Sequence, residues 1–84
     1  MKQKTVPLQN LALLSRGQAT ELVSVSSGFS SAILLKNDHF VLNLKSLMGL
    51  LSRSFPAEGE ALLTVSGEDE EKAFDKMLEL IEGL

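Results

Sequence analysis

Residues 60–82 read EALLTVSGEDEEKAFDKMLELIE, and they decide the fold because a strand pattern passes directly into a helix pattern. Residues 60–66 are rich in Leu, Thr and Val, which favours a β-strand. Within residues 69–82, apolar side chains recur at i, i+3, i+4 and i+7, the spacing of one helix face. They are Phe74, Met77, Leu78 and Ile81. We expect Ser66 or Asp69 to cap this helix.

More strand and helix patterns lie N-terminal to this stretch. Strands are predicted over residues 4–8, 31–36 and 40–43, helices over 15–27 and 46–52, a loop over 10–14 and a turn over 56–59. The order β-α-β-β-α-β-α predicts one α+β domain, residues 1–84. In this domain three helices pack on one face of a four-stranded antiparallel sheet, which makes an open-faced two-layer sandwich.

Capping and turn residues mark the ends of the first helix and of the hairpin. Ser15, followed three residues later by Gln18, fits a capping box. Gly28 is placed as the C′ residue that ends the helix. Asn37-Asp38, between the second and third strands, is turn chemistry and predicts a β-hairpin.

Composition narrows the function classes. The 84 residues carry a net charge of −3 and no cysteine, which excludes disulfides and argues against bulk nucleic-acid binding. No apolar run is long enough to span a bilayer, so we expect a cytoplasmic protein with no membrane contact. His39 is the only histidine and is expected in a surface turn, so no metal site is predicted. No catalytic constellation is visible, which indicates a protein that is not an enzyme and needs no cofactor.

Residues 43–52, NLKSLMGLLS, closely resemble the regulatory-serine segment of HPr, the histidine phosphocarrier family of the sugar phosphotransferase system, as found in low-GC Gram-positive bacteria. Residues 66–70, leading to Ala73, resemble the start of that family's last helix. Gly28-Phe29 resembles the end of its first helix. The resemblance covers essentially the whole chain and implies the HPr fold.

The family's phosphorylated histidine is missing. That histidine is followed in the family by Thr or Ala, then Arg and Pro, whereas this chain has Ser15, Arg16, Gly17 and Gln18. A serine phosphoester is a poor phosphoryl donor compared with phosphoimidazole, so Ser15 cannot replace the histidine in rapid relay. The simplest role for Ser15 is helix capping. Together with Arg16 and Gly17 it could also retain an anion site at the helix start.

The resemblance implies regulatory phosphorylation of Ser46. A kinase of the HPr kinase/phosphorylase type would modify it, and a LacI-family transcription regulator would bind the product. The residues expected to contact that partner are Lys45, Leu47, Met48, Leu51 and Arg16. A catabolite-repression paralogue within the family likewise lacks the histidine and keeps the serine. The other interpretation makes Ser46 an unmodified N-cap and Leu47 and Met48 ordinary core.

Three functions remain open from the sequence. The first is a phosphorylation-controlled binding module of carbon catabolite repression. The second is a phosphocarrier in phosphoenolpyruvate-dependent sugar transport, and the third is a structural domain that has lost both phosphosites. Because Pro7 cannot donate to a strand ladder, the first strand is expected at a sheet edge, which leaves a strand-exchange homodimer open.

Overall fold

The computed structural model describes residues 1–56 and 58–84. The elements in chain order are β1 (Lys2–Pro7), α1 (Gln9–Ala12), α2 (Arg16–Ser27), β2 (Ala32–Lys36), β3 (Val41–Asn43), α3 (Leu47–Leu51), β4 (Glu60–Ser66) and α4 (Glu70–Glu82). The predicted α+β fold is confirmed, with the short helix α1 added to the expected three.

The four strands form one antiparallel sheet in the order β1-β4-β2-β3. β1 therefore lies at an edge, as Pro7 predicts, and pairs with β4 from Lys2 opposite Val65 to Pro7 opposite Glu60. β2 and β3 form the predicted hairpin, closed by the N–H of Asn37 donating to the carbonyl of Phe40 at 3.0 Å.

The core lies between the helices and one face of the sheet. Alternate strand residues are buried because successive side chains in a strand point to opposite faces. The fully buried side chains include Val6, Ile33, Leu35, Leu44, Leu63 and Val65 from the sheet side and Leu11, Leu22, Met77 and Ile81 from the helices. The apolar face predicted for the last helix therefore includes Met77 and Ile81, which are buried in the core.

The loop predicted over residues 10–14 is wrong, because α1 occupies most of it. Leu8 and Leu11 are both buried, and the N–H of Leu11 donates to the carbonyl of Leu8 at 2.9 Å. The side-chain amide of Asn10 donates to the carbonyl of Ile81 at 3.2 Å and so ties α1 to α4. Burial against the core stabilises a single helical turn that its own sequence could not stabilise.

Of two further predicted chain reversals, the one at Gly28 differs from expectation and the other is not tested. Gly28 does not take the left-handed conformation of a C′ glycine, since its φ is −77° and its ψ is −10°. It continues the right-handed turn, and its N–H donates to the carbonyl of Val25 at 3.1 Å. The turn predicted over residues 56–59 includes Ala57, which lies outside the described residues.

Neither residue proposed to cap α4 does so. Ser66 is the last residue of β4. Asp69 occupies the N-cap position without a side-chain capping bond. Its carboxylate instead accepts hydrogen bonds from the N–H groups of Ser30 and Ser31, at 2.9 and 3.0 Å, and from the Ser31 hydroxyl. This cluster joins the start of α4 to the segment that precedes β2.

We expect the Asp69 cluster to make stability depend on acid pH. Hydrogen bonds from Ser31 and Ser30 lower the pKa of Asp69 from 3.8 to about 2. A carboxylate whose pKa is lower in the folded protein stabilises the fold fully above its unfolded pKa of about 4, and this contribution disappears as pH falls towards 2. The difference in Tm between the native protein and Asp69→Asn should therefore be largest above pH 4 and shrink towards pH 2. A pH-independent difference would contradict this role.

Candidate functional site at two serine-capped helices

Ser46 is the N-cap of α3, as predicted. Its backbone is extended, with φ −105° and ψ 107°, and its Oγ accepts a hydrogen bond from the N–H of Gly49 at 3.1 Å. The residue as a whole is half-buried, so part of its surface is exposed to solvent. A hydroxyl oxygen carries two lone pairs, and the Gly49 bond uses one of them.

The apolar residues after Ser46 divide between core and surface. Leu50 is buried and Leu47 packs partly against the core, whereas Met48 is 81% exposed and Leu51 is 43% exposed. Met48 and Leu51 are three residues apart and so lie on one side of the helix. The interpretation of Met48 as core is therefore wrong, and α3 presents an apolar surface beside the serine. We call Ser46, Leu47, Met48 and Leu51 the α3 surface.

Lys45 makes hydrogen bonds within the chain that the sequence did not predict. Its Nζ donates a hydrogen bond to the carbonyl of Phe29 at 2.7 Å, and the residue is half-buried. Its backbone N–H donates to Oδ1 of Asn43 at 2.9 Å. The amine therefore holds the start of α3 to the chain that follows α2. The contact of Lys45 with a regulator stays a prediction.

Ser15 forms the predicted capping box at the start of α2. Its Oγ accepts from the N–H of Gln18 at 3.1 Å, and its own N–H donates to Oε1 of Gln18 at 2.9 Å. Arg16 and Gly17 are exposed in the first turn. The arrangement satisfies the capping role completely and leaves the Arg16 guanidinium facing solvent.

The structure brings the two serine-capped helices together. α2 and α3 pack against each other. One groove runs between the end of α1 and the chain after α3, and its lining residues include Leu11, Leu14, Leu51, Arg53 and Phe55. Leu14 immediately precedes Ser15, so the start of α2 and the end of α3 border the same groove.

Leu13 is a surface residue that the sequence analysis missed. It is 92% exposed, although it lies in a run of apolar residues two positions before Ser15. The signal was present in the spacing: Leu8 and Leu11 are three residues apart and form the buried side of α1, which leaves Leu13 on the other side.

His39 lies in the hairpin turn and is exposed, as predicted. Its backbone N–H donates to Oδ1 of Asn37 at 2.8 Å. Within residues 1–56 and 58–84, no group of three His, Cys, Asp or Glu side chains is arranged to hold a metal ion. No helix in the same part of the chain is long and apolar enough to cross a membrane.

Comparison with known proteins identifies relatives along the whole chain. Residues 2–83 match the family model described as the PTS HPr component phosphorylation site. The phosphocarrier protein HPr of Lysinibacillus sphaericus is 33% identical over 63 residues, which cover 75% of this chain and 72% of the relative. The HPr-like protein Crh of Bacillus subtilis is 32% identical over 77 residues, covering 92% of this chain and 91% of Crh.

Comparison with solved structures also finds HPr and Crh proteins. HPr-C-His from Thermoanaerobacter tengcongensis superposes with a TM-score of 0.81 at 34% identity, over 98% of this chain and 92% of that protein. The structure of Crh from Bacillus subtilis superposes with a TM-score of 0.72 at 31% identity, over 83% of this chain and 80% of Crh. That Crh structure is a dimer with a swapped domain.

Proposed function

This chain belongs to the HPr family, and we propose that within it the chain is a cytoplasmic regulatory binding module, not an enzyme and not a histidine phosphocarrier. In this proposal a kinase of the HPr kinase/phosphorylase type phosphorylates Ser46. The phosphorylated protein then binds a LacI-family transcription regulator in carbon catabolite repression. The observation that carries the proposal is the pair of capping serines, one in place of the relay histidine and one beside an exposed apolar surface.

The start of α2 lacks the chemistry of a phosphoryl relay. A relay needs a phosphorylated group that leaves easily, which an imidazole provides and an alkoxide does not. The Ser15 hydroxyl is engaged with the N–H of Gln18, and the single imidazole of the chain, His39, lies in the β2–β3 turn. The exposed Arg16 and the first-turn N–H groups of Arg16 and Gly17 suit binding of an anion without onward transfer.

Ser46 is suited to accept a phosphate that remains in place. The modification adds a charge of about −1.5 to −2 at neutral pH. The N–H of Gly49 already donates a hydrogen bond to the Ser46 hydroxyl. The same N–H could donate to an oxygen of a phosphate attached to Ser46. Modification therefore need not unfold α3, because a phosphate near a helix start is electrostatically favourable.

The α3 surface supplies the contact with the regulator. Met48 and Leu51 expose flexible apolar side chains next to the modified serine. Methionine adapts its shape to a partner, so it suits this role. Phosphate on Ser46 supplies the anion that a cationic side chain of the regulator would pair with. Arg16, on the neighbouring helix, is the chain's own exposed cation in the proposed contact.

A phosphocarrier in phosphoenolpyruvate-dependent sugar transport is the alternative function. The name of the Lysinibacillus sphaericus relative, phosphocarrier protein HPr, favours it. The serine at position 15 opposes it, because that position would have to carry the transferable phosphate.

Two labelling reactions separate the proposed function from the alternative. With ATP and an HPr kinase, we expect phosphate on the native chain and on Ser15→Ala, and none on Ser46→Ala. The two substitutions each remove one capping hydroxyl and should cost similar stability, about 1 kcal/mol. With phosphoenolpyruvate and enzyme I, we expect no label on any of the three proteins. Acid-labile label in this second reaction would support the carrier, and absence of label in both reactions would support a structural domain.

We also propose that the chain forms a homodimer by exchange of β1. The strand lies at the sheet edge and is held by β4 alone among the strands. Its links to α4 lie near the surface, with Nζ of Lys4 3.3 Å from Oε2 of Glu82 and the N-terminal amine of Met1 2.8 Å from Oε2 of Glu70. Ion pairs near the surface contribute little stability, so the ladder with β4 and the burial of Val6 are the main interactions that the exchanged strand would make again in the partner subunit.

A further inference from the structure

We propose that Gly49 keeps the Ser46 hydroxyl open to a kinase, so that glycine at this position determines how fast the serine is phosphorylated. The inference rests on the proposed function, because it concerns the same hydroxyl. It assigns a role to Gly49, which is not itself phosphorylated. Because Gly49 has no side chain, it leaves the space beside the Ser46 hydroxyl unoccupied.

The space around Gly49 is small and lies directly beside the hydroxyl. A Cβ at this position would lie 3.2 Å from Oγ of Ser46 and 3.0 Å from Cδ1 of Leu42. Leu42 is buried, so it limits how far a methyl group could move away from the serine. Any side chain at position 49 would therefore cover part of the hydroxyl.

The glycine near the other capping serine provides a control within the chain. Gly17 is two residues after Ser15 and Gly49 is three residues after Ser46, and both lie in the first turn of a helix. A Cβ at Gly17 would lie 3.9 Å from Oγ of Ser15, an ordinary van der Waals contact. A methyl group at position 17 would therefore not reproduce the close contact that a methyl group at position 49 would make with its capping serine.

The open space beside the Ser46 hydroxyl matters because of the geometry of phosphoryl transfer. Oγ of Ser46 attacks the γ-phosphorus of ATP, so a new O–P bond forms while the bond from that phosphorus to the β–γ bridging oxygen breaks. ADP leaves, and the hydroxyl proton passes to a base on the kinase. The attacking and leaving oxygens must lie roughly in line, so the acceptor oxygen needs open space on the side of the phosphorus. A methyl group 3.2 Å from Oγ narrows that space.

The rate of ATP-dependent phosphorylation by an HPr kinase tests the inference. We expect Gly49→Ala to lower kcat/KM at least tenfold and Gly17→Ala to change it less than twofold. The loss should fall mainly on kcat, because the substitution changes the space around the acceptor oxygen and leaves the exposed side chains of α3 unchanged. Circular dichroism should show a folded Gly49→Ala protein, since alanine is favoured over glycine in a helix and its N–H can still donate to Ser46.

The outcomes distinguish this inference from the proposed function. Equal rates for Gly49→Ala and the native chain would overturn the inference alone, whereas an unlabelled native chain would overturn both. If Gly49→Ala fails to fold, the double variant Leu42→Val, Gly49→Ala removes the leucine Cδ1 and keeps the methyl beside the hydroxyl. We expect the double variant to be phosphorylated more slowly than Leu42→Val alone. Equal phosphorylation rates for these two proteins would count against the role of Gly49.

Discussion

Gly67→Ala is expected to destabilise the domain by about 2–6 kcal/mol, which combines the strain of an unfavourable backbone conformation with overpacking. Gly67 has a φ of +155°, in a region that side-chain-bearing residues rarely adopt. A Cβ there would lie 2.7 Å from Cα of Ser31, a backbone atom that cannot turn aside. The collision would push β4 away from the segment before β2 and disrupt the bonds between Ser31 and Asp69.

The measurement is urea denaturation followed by circular dichroism, with Gly17→Ala as the control. Both variants add one methyl group to a glycine. The methyl at Gly17 meets nothing closer than 3.9 Å, so that variant should be as stable as the native chain or up to about 1 kcal/mol more stable. A Gly67→Ala protein within 1 kcal/mol of the native chain would contradict the described packing of the β4–α4 connection.

Phosphoserine at position 46 is expected to strengthen binding to a LacI-family regulator at least tenfold. A charge-assisted hydrogen bond contributes about 1.5–3 kcal/mol, and 1.4 kcal/mol corresponds to tenfold in affinity. Protein carrying phosphoserine by codon-directed incorporation makes this test independent of any kinase. Isothermal titration of the phosphorylated and unmodified proteins with the regulator gives the ratio directly.

Two apolar-to-alanine substitutions examine where the regulator docks. Met48→Ala in the phosphorylated protein should weaken binding about tenfold, because burial of such a side chain contributes about 1.5–3 kcal/mol. Val41→Ala should leave binding unchanged, since Val41 is 67% exposed but lies on the open face of the sheet, opposite the helices. Equal affinity with and without phosphate, or equal losses in the two variants, would place the contact elsewhere.

The features that sequence predicted well are those with a long periodic pattern. The 13 residues of α4 give several helical turns, so the buried positions of Met77 and Ile81 could be read from spacing. The pattern of α4 reflects which face meets the core, and this is what burial in the structure tests.

The features that sequence missed depend on partners far along the chain. Asp69 bonds to Ser31, which is 38 residues away, and Lys45 bonds to Phe29, which is 16 residues away. Local capping rules cannot reveal such partners, so Asp69 was expected to cap α4. The single turn of α1 is stable only because of the core beneath it.

The candidate site was predictable in one part and not in another. Serine at position 46 fits a helix cap on local grounds, and the HPr resemblance suggested its modification. The five residues of α3 are too few for periodicity to separate the surface residue Met48 from the buried Leu50. That division comes from how α3 packs on its neighbours, which the sequence alone does not specify.

The most direct examination of the central claim is a ³¹P NMR spectrum of the protein after exposure to ATP with an HPr kinase and to phosphoenolpyruvate with enzyme I in the same tube. The account predicts one protein-bound resonance that titrates as a phosphate monoester, with a pKa of about 6. It should be missing from Ser46→Ala. A phosphoramidate resonance from this chain after removal of enzyme I, as a phosphohistidine would give, or an ester that persists in Ser46→Ala, would contradict the account.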